Sequence, residues 1–324
     1  MNPYNQNMNL RYYLLLLLAV ASTSCALRYP DRPALSARAL SDPRAHIALQ
    51  RAGRIDSVHA ELVTIGNGTL SYYWSAPQPK AIVLIQHGIL GYAMRYVNEY
   101  NQMIPRLLER GYSVCAIDAR SHGYSWGQRA TLRVADAVAD HRAVRQVLAS
   151  KGLPIYLYGH SMGGIITAAS LIEDGADLAG VILMAPALYT PKFAPWAVRV
   201  AGTALAAVAP RMPVVKLGEM PRDSTQRDPL VSTLTVPVVS GVTIYTEAKR
   251  VSKRYAEVQV PMLFIHSDVD RTTDPEGSKR MYRQISSRDK RLLILRGAGH
   301  SPLNEKDYRE STLLEIINWL EQRN

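Results

Sequence analysis

The stretch Gly159-His160-Ser161-Met162-Gly163-Gly164 constrains this chain more than any other. It reads G-x-S-x-G. It follows the short apolar run Ile155 to Tyr158 and leads into Ile165-Ile166-Thr167-Ala168-Ala169-Ser170-Leu171, which can continue as a helix. A serine at a sharp strand-to-helix turn is a nucleophile elbow. The turn is so tight that a Cβ two residues before or after the serine would strike the neighbouring strand or helix, which accounts for the glycines. The serine accepts a strained backbone so that its Oγ stands clear at the top of the sheet.

The flanking sequence supplies a sheet for that turn. His59 to Ile65 and Leu70 to Ser75 surround Gly66-Asn67-Gly68 and predict an antiparallel hairpin. Ala81 to Ile85 is apolar throughout, as a strand covered on both faces should be. A helix is predicted from Val97 to Arg110, stopped by Gly111, then a strand over 112–117. A second helix is predicted from Leu132 to Lys151, ahead of the elbow strand 155–158. Later strands fall at 181–184, 261–265 and 291–295, and a last helix spans Lys306 to Gln322. Alternating strands and helices imply an α/β fold with a mostly parallel sheet and helices on both faces. The rhythm breaks between about 187 and 258. That insertion holds prolines and the apolar stretch Trp196 to Val208, and it is expected to form a cap. The apolar stretch could be a helix packed on the core, a lid surface meeting acyl chains, or both.

Of 324 residues 47% are hydrophobic, enough for one large domain with an insertion. The net charge of +11 is spread along the chain, mostly as arginine, without basic runs interleaved with aromatics. No nucleic-acid partner is therefore expected, and attraction to anionic surfaces is the fairer reading. Cys115 lies in a predicted strand and reads as a small buried hydrophobe. Cys25 has another context. Arg11, the apolar run Leu14 to Val20 and small residues up to Cys25 make residues 1–25 a signal peptide, too short to span a bilayer. Ser22-Thr23-Ser24-Cys25 is similar to a bacterial lipobox, which predicts lipidation of Cys25, a secreted chain and a membrane tether. The rivals are cleavage after Ala26 and an uncleaved anchor. Residues 26–56, rich in arginine and broken by prolines, read as a solvated arm, and 57–324 as the catalytic domain.

A serine hydroxyl needs a base, an orienting acid and an oxyanion hole. In this architecture the acid follows a late strand and the histidine follows the last one. His300, in Gly297-Ala298-Gly299-His300-Ser301, is the expected base. His160 should point away from the Ser161 hydroxyl, and His87 and His122 should order loops. His46, His59 and His141 read as surface or structural, and His266 as a packing or hydrogen-bonding residue. The acid candidates are Asp268, Asp270 and Asp274. Asp270 is preferred, because Asp268 follows the strand closely and Asp274 precedes Pro275 as a helix N-cap. The oxyanion donors expected are the backbone N–H groups of Met162 and Ile89, with Gly88 allowing close approach. No metal or cofactor is called for.

His87-Gly88, Arg95-Tyr96, Gly111-Tyr112, Asp118-Ala119-Arg120-Ser121-His122-Gly123-Tyr124-Ser125, the elbow, Asp228-Pro229-Leu230, Asp270-Arg271 with Asp274 and Gly277, and Gly297-Ala298-Gly299-His300 together resemble the monoacylglycerol lipase/lysophospholipase branch of the α/β-hydrolase superfamily, of serine aminopeptidase S33 type, over about residues 59–322. The resemblance implies a Ser161–Asp270–His300 triad, oxyanion donors at Ile89 and Met162, a cap that shapes an acyl pocket, and hydrolysis of acyl-lipid esters through an acyl-enzyme. The chain departs from the pattern twice. Ile89-Leu90-Gly91-Tyr92 lacks the acidic residue and histidine usual after His87-Gly88, and Ser121 stands where glycine is usual. Acyl transfer to an acceptor other than water, and a non-catalytic binding protein on the same scaffold, are the alternative readings.

Overall fold

The computed structural model describes residues 35–49, 55, 57–66, 68–175, 177–188, 196–216, 230 and 235–324. The expected signal peptide, Cys25 and the Asp228-Pro229 pair lie outside them. Eight strands form one sheet: β1 (Glu61–Thr64), β2 (Leu70–Trp74), β3 (Ala81–Gln86), β4 (Tyr112–Asp118), β5 (Ile155–His160), β6 (Leu178–Met184), β7 (Met262–Ser267) and β8 (Lys290–Leu295). Their order across the sheet is β8-β7-β6-β5-β3-β4-β2-β1. β3 to β8 run parallel, while β2 pairs antiparallel with β4 and β1 with β2, as the Gly-Asn-Gly turn predicts.

The principal helices are α1 (Met103–Glu109), α2 (Val134–Ala149), α3 (Met162–Glu173), α4 (Trp196–Val208), α5 (Val238–Val251), α6 (Pro275–Gln284) and α7 (Arg309–Glu321). The period-two alternation of β3 explains how they divide. Val83 and Ile85 face the layer built on α1 and α7, with Ile104, Leu107, Leu313 and Ile316. Ile82 and Leu84 face the layer built on α2, α3, α5 and α6, with Val138, Ile165, Val251 and Met281. Each such fully buried aliphatic side chain contributes about 1.5–3 kcal/mol. This arrangement is the α/β-hydrolase fold.

The structure corrects three expectations. The helix predicted over 97–110 is two helices, Arg95–Asn98 and α1, separated by Tyr100, Asn101 and Gln102, all at positive φ. Tertiary contacts override the local pattern there. Tyr100 N–H donates to Asn304 Oδ1 (2.6 Å), its ring stacks on Tyr96, and Asn101 Nδ2 donates to the Arg309 carbonyl. Second, residues 35–49 are not a solvated arm. Ala39, Ala45 and Ile47 are buried in the core, Trp74 Nε1–H donates to the Ala45 carbonyl (3.1 Å), and His46–Ile47 pairs with Val58–His59.

The third correction narrows the cap. Parallel β6 and β7 require a crossover, and α5 supplies it. Ser240 Oγ donates to the Ala130 carbonyl (2.6 Å) and accepts from Leu132 N–H, while Ala248 and Val251 join the main core. Among the described residues the cap proper is α4 and the ribbon Pro213–Lys216/Thr235–Pro237. α4 packs Leu205 and Ala206 on Val238, Val239 and Val242 of α5. Val208, Met212 and Val214 stay exposed at its rim. No helix among the described residues is long and apolar enough to cross a membrane.

Several histidines are buried. Burial holds His122 down to about 4 and His141 and His160 to about 3, and it pushes His87 well below the usual range. Below pH 6.5 the unfolded chain binds protons on these rings that the folded chain refuses, so their stabilisation is present above 6.5 and lost as pH falls. Asp118, which burial pushes up to about 6, opposes this with a single carboxyl. Unfolding stability should therefore fall by on the order of 3 kcal/mol per pH unit between pH 6 and 4.5. Urea titrations at stepped pH check this, and a flat profile from pH 7 to 5 would contradict it.

Candidate active site

The strand order reverses at β3. The chain leaves β3 for β4 on one side and returns to β5 on the other, so a crevice opens where β3 and β5 end. Ser161 lies at the end of β5, at φ 56°, ψ −119°, and is 5% exposed. For a non-glycine residue this backbone is strained, and it persists because the neighbours fix it. Ser161 N–H donates to the Met184 carbonyl, and its own carbonyl accepts from Gly164 and Ala187. The flanking glycines behave as the elbow reading requires. A Cβ on Gly159 would lie 2.5 Å from Thr167 Oγ1, and one on Gly163 would lie 2.1 Å from the Gln86 carbonyl oxygen.

Asp270 and His300 meet. His300 Nδ1 donates to Asp270 Oδ2 at 2.7 Å, and the Asp270 side chain is fully buried. Burial alone would push this carboxyl up. Hydrogen bonds from His266 and His300, the His300 charge and the Thr273 N–H outweigh burial and hold it well below the usual carboxylate range. Asp270 Oδ1 accepts the N–H groups of Thr272 (2.7 Å) and Thr273 (3.1 Å). Thr273 Oγ1 lies 2.9 Å from Asp270 Oδ2 and 3.0 Å from the Ala185 carbonyl. The other two acid candidates do different work. Asp274 caps α6 through the Glu276 N–H, and Asp268 Oδ1 accepts the Gly297 N–H (2.8 Å), tying the acid loop to the histidine loop.

His300 stands over the elbow. His160 Nε2 donates to its carbonyl oxygen (3.1 Å), and the two rings are 4.9 Å apart. His160 thus reaches His300, not the serine hydroxyl. Ser161 and His300 are not hydrogen-bonded to each other here, and such bonds commonly tighten only when substrate binds. Glu305 accepts the Gly299 N–H and so clamps the loop beside His300. Sequence reasoning missed Thr273 and Glu305. The only available signal was their place in loops already marked by Asp270 and His300.

The loop after β3 completes the site. A Cβ on Gly88 would lie 3.0 Å from Ser161 Cβ, so this backbone runs against the serine. His87 Nε2 accepts the Ala119 N–H, which leaves the proton on Nδ1 to donate to the Gly88 carbonyl (2.7 Å). Gly91 N–H donates to that same carbonyl. In a trans peptide the next N–H points the opposite way. The Ile89 N–H is therefore turned away from His87, and Met162 offers the first free N–H of α3. Ser121, the residue found where glycine is usual, adopts φ 65° and holds it with an Oγ–Thr131 carbonyl bond (2.6 Å).

Residues 77–307 match the model of the serine aminopeptidase S33 (Hydrolase_4) family. The chain belongs to that family. It is a carboxylic ester hydrolase. It is similar to human monoglyceride lipase, 29% identical over 266 residues that cover 78% of this chain and 86% of that one. It is also similar to the monoacylglycerol lipase of Mycolicibacterium smegmatis, 28% identical over 75% of this chain and 88% of that protein. The fold matches the crystal structure of Paleococcus ferrophilus monoacylglycerol lipase, with a TM-score of 0.69 at 23% identity, over 82% of this chain and all of that one. A soluble variant of Saccharomyces cerevisiae monoglyceride lipase gives a TM-score of 0.70 at 18% identity, over 86% of this chain and 99% of that one.

Proposed function

We propose that this S33-family protein hydrolyses carboxylic esters of acyl lipids, of monoacylglycerol or lysophospholipid type, through an acyl-enzyme on Ser161. The observation that carries the reading is the buried Asp270–His300 hydrogen bond beside a strained serine at the elbow. His300 Nε2 takes the proton as Ser161 Oγ attacks the ester carbonyl, and Asp270 holds the tautomer and stabilises the imidazolium. The oxyanion is held by the Ile89 and Met162 N–H groups, each contributing about 3–4 kcal/mol. His300 then gives its proton to the departing alcohol. Water, deprotonated by His300, cleaves the acyl-enzyme and releases the fatty acid.

The exposed apolar rim of the cap, Val208, Met212 and Val214, suits a lipid substrate, and two of the relatives are monoacylglycerol lipases by name. On the sequence of residues 1–25 we further propose a secreted chain tethered to the membrane through lipidated Cys25, which the mass of the mature chain would check. The substrate reading is tested by assaying monoacylglycerol, lysophospholipid and a short aryl ester side by side. The expected result is fatty acid release from a lipid ester, with a kcat/KM above that for the short aryl ester. Hydrolysis confined to the short ester would overturn the lipid assignment.

A further inference from the structure

The loop after β3 needs support, because Leu90 sits at φ 62°, a conformation that bulky side chains rarely hold unaided. Its near end is fixed from within by His87 and Gly91. Its far end is fixed by residues that lie outside the family-matched region. Tyr92 is fully buried, its hydroxyl accepts a hydrogen bond from Arg44 Nη1, and the guanidinium lies over its ring, 5.1 Å from the centroid. Arg44 is locked in turn by Asp42, with Nε on Oδ1 (2.9 Å) and Nη2 on Oδ2 (2.7 Å). Burial would push the Asp42 carboxyl up, but the hydrogen bonds and charge of Arg44 hold it below its usual range, so the pair stays ionised.

The contacts close into a ring. Asp42 Oδ2 also accepts the Tyr124 hydroxyl (3.0 Å). The Tyr124 N–H (2.8 Å) and the Ala93 N–H (2.7 Å) both donate to Asp118, beside Tyr92. The ring thus joins the segment before the hydrolase domain to both loops that flank β3 and β4. Tyr92 also belongs to the run Ile89-Leu90-Gly91-Tyr92, which lacks the acidic residue and histidine usual after His87-Gly88 in the branch this chain resembles. Arginine suits the position because one planar fork can grip a carboxylate with two N–H groups and still reach a tyrosine.

We infer that Asp42 and Arg44 are positioning residues that brace the loop carrying the Ile89 N–H. The inference rests on the proposed role of that N–H in the ester hydrolysis described above. Deleting an oxyanion donor typically costs about 100–1000-fold in kcat. Loosening its loop should cost less, about tenfold, since catalytic groups need placement within about 0.5 Å.

The test uses the full chain with Arg44→Ala, Arg44→Lys and Tyr92→Phe, assayed on a soluble aryl ester and inhibited by a trifluoromethyl ketone that mimics the tetrahedral intermediate. Arg44→Ala and Tyr92→Phe should each lower kcat about tenfold and weaken the ketone by the same factor, with KM changed less than about twofold. The double variant should be no worse than either single one, and Arg44→Lys should restore only part of kcat. An unchanged kcat and ketone affinity in folded Arg44→Ala would overturn the brace. If that variant does not fold, Tyr92→Phe, which keeps the ring and removes only the hydroxyl, decides by the same two readouts. Ser161→Ala run in parallel separates the failures. A fully active Ser161→Ala sinks the site reading itself, whereas a dead one beside unaltered Arg44 and Tyr92 variants sinks only the brace.

Discussion

Ser161→Ala should lower kcat for ester hydrolysis by roughly a million-fold while leaving KM and the folded state nearly unchanged. The serine is 5% exposed and its Oγ makes no hydrogen bond among the described residues, so removing that oxygen breaks no bond that holds the turn. The elbow backbone should survive, because the bonds from Ser161 N–H to Met184 and from Gly164 and Ala187 to the Ser161 carbonyl are main-chain bonds. Asp270→Asn should cost about 10⁴-fold by a different route. An amide at 2.7 Å from His300 Nδ1 can present an N–H there, which favours the wrong tautomer and no longer stabilises the imidazolium. The two variants differ in one further respect. Ser161→Ala should fail to take up a fluorophosphonate label, and Asp270→Asn should label slowly but to completion. Wild-type rates in folded Ser161→Ala would place the nucleophile elsewhere.

Gly163→Ala should be strongly damaging although it adds a single methyl group. The added Cβ would sit 2.1 Å from the Gln86 carbonyl oxygen and 2.6 Å from that of His87, both main-chain atoms at the end of β3. Neither can swing aside as a side chain would, so the strand end and the loop after it must move. The expected loss is about 3 kcal/mol or more of stability. Activity should fall in whatever fraction folds, because the displaced strand end leads into Ile89. Gly241→Ala in α5 provides the contrast. Nothing lies within 4 Å of its would-be Cβ, and an alanine in a helix is favoured over glycine by about 1 kcal/mol. Chemical denaturation of the two variants should therefore shift the midpoint in opposite directions. A Gly163→Ala protein as stable as the parent would refute the packing account of the elbow.

The parts of this molecule legible in the sequence are those where one local pattern admits one structure. A G-x-S-x-G between an apolar run and a helical run leaves little choice, and Ser161 takes the strained backbone the motif demands. Asp274 was separable from Asp270 because a residue before proline at a helix start has a recognisable duty, and it performs that duty. The break at Tyr100 to Gln102 was not legible, because Asn304, some two hundred positions away, imposes it. Nor were Thr273 and Glu305, whose hydroxyl and carboxylate act on backbone and side chains that only the folded loops bring near. Arg44 looked like one more charge in an arginine-rich arm. Its partner, Tyr92, is distant in sequence, and the pairing exists only once Ala39, Ala45 and Ile47 have docked. Composition marks such a segment as polar, and it says nothing about which face it will cover.

The narrowed cap has a consequence for how such a molecule can change over generations. On one side of the cap the Ala187 N–H is tied to Ser161 and Leu188 is buried in the core, and on the other Ser240 is pinned between Ala130 and Leu132. Between those two fixed points no described residue contributes to the Asp270–His300 pair or to the Gly88 turn. The described part of the intervening stretch, α4 and the ribbon, is thus separate from the groups around Ser161 and rests on α5. Changes in α4 or the ribbon should therefore leave the Asp270–His300 pair in register. Diversity in what is bound can accumulate there without disturbing how the bond is broken.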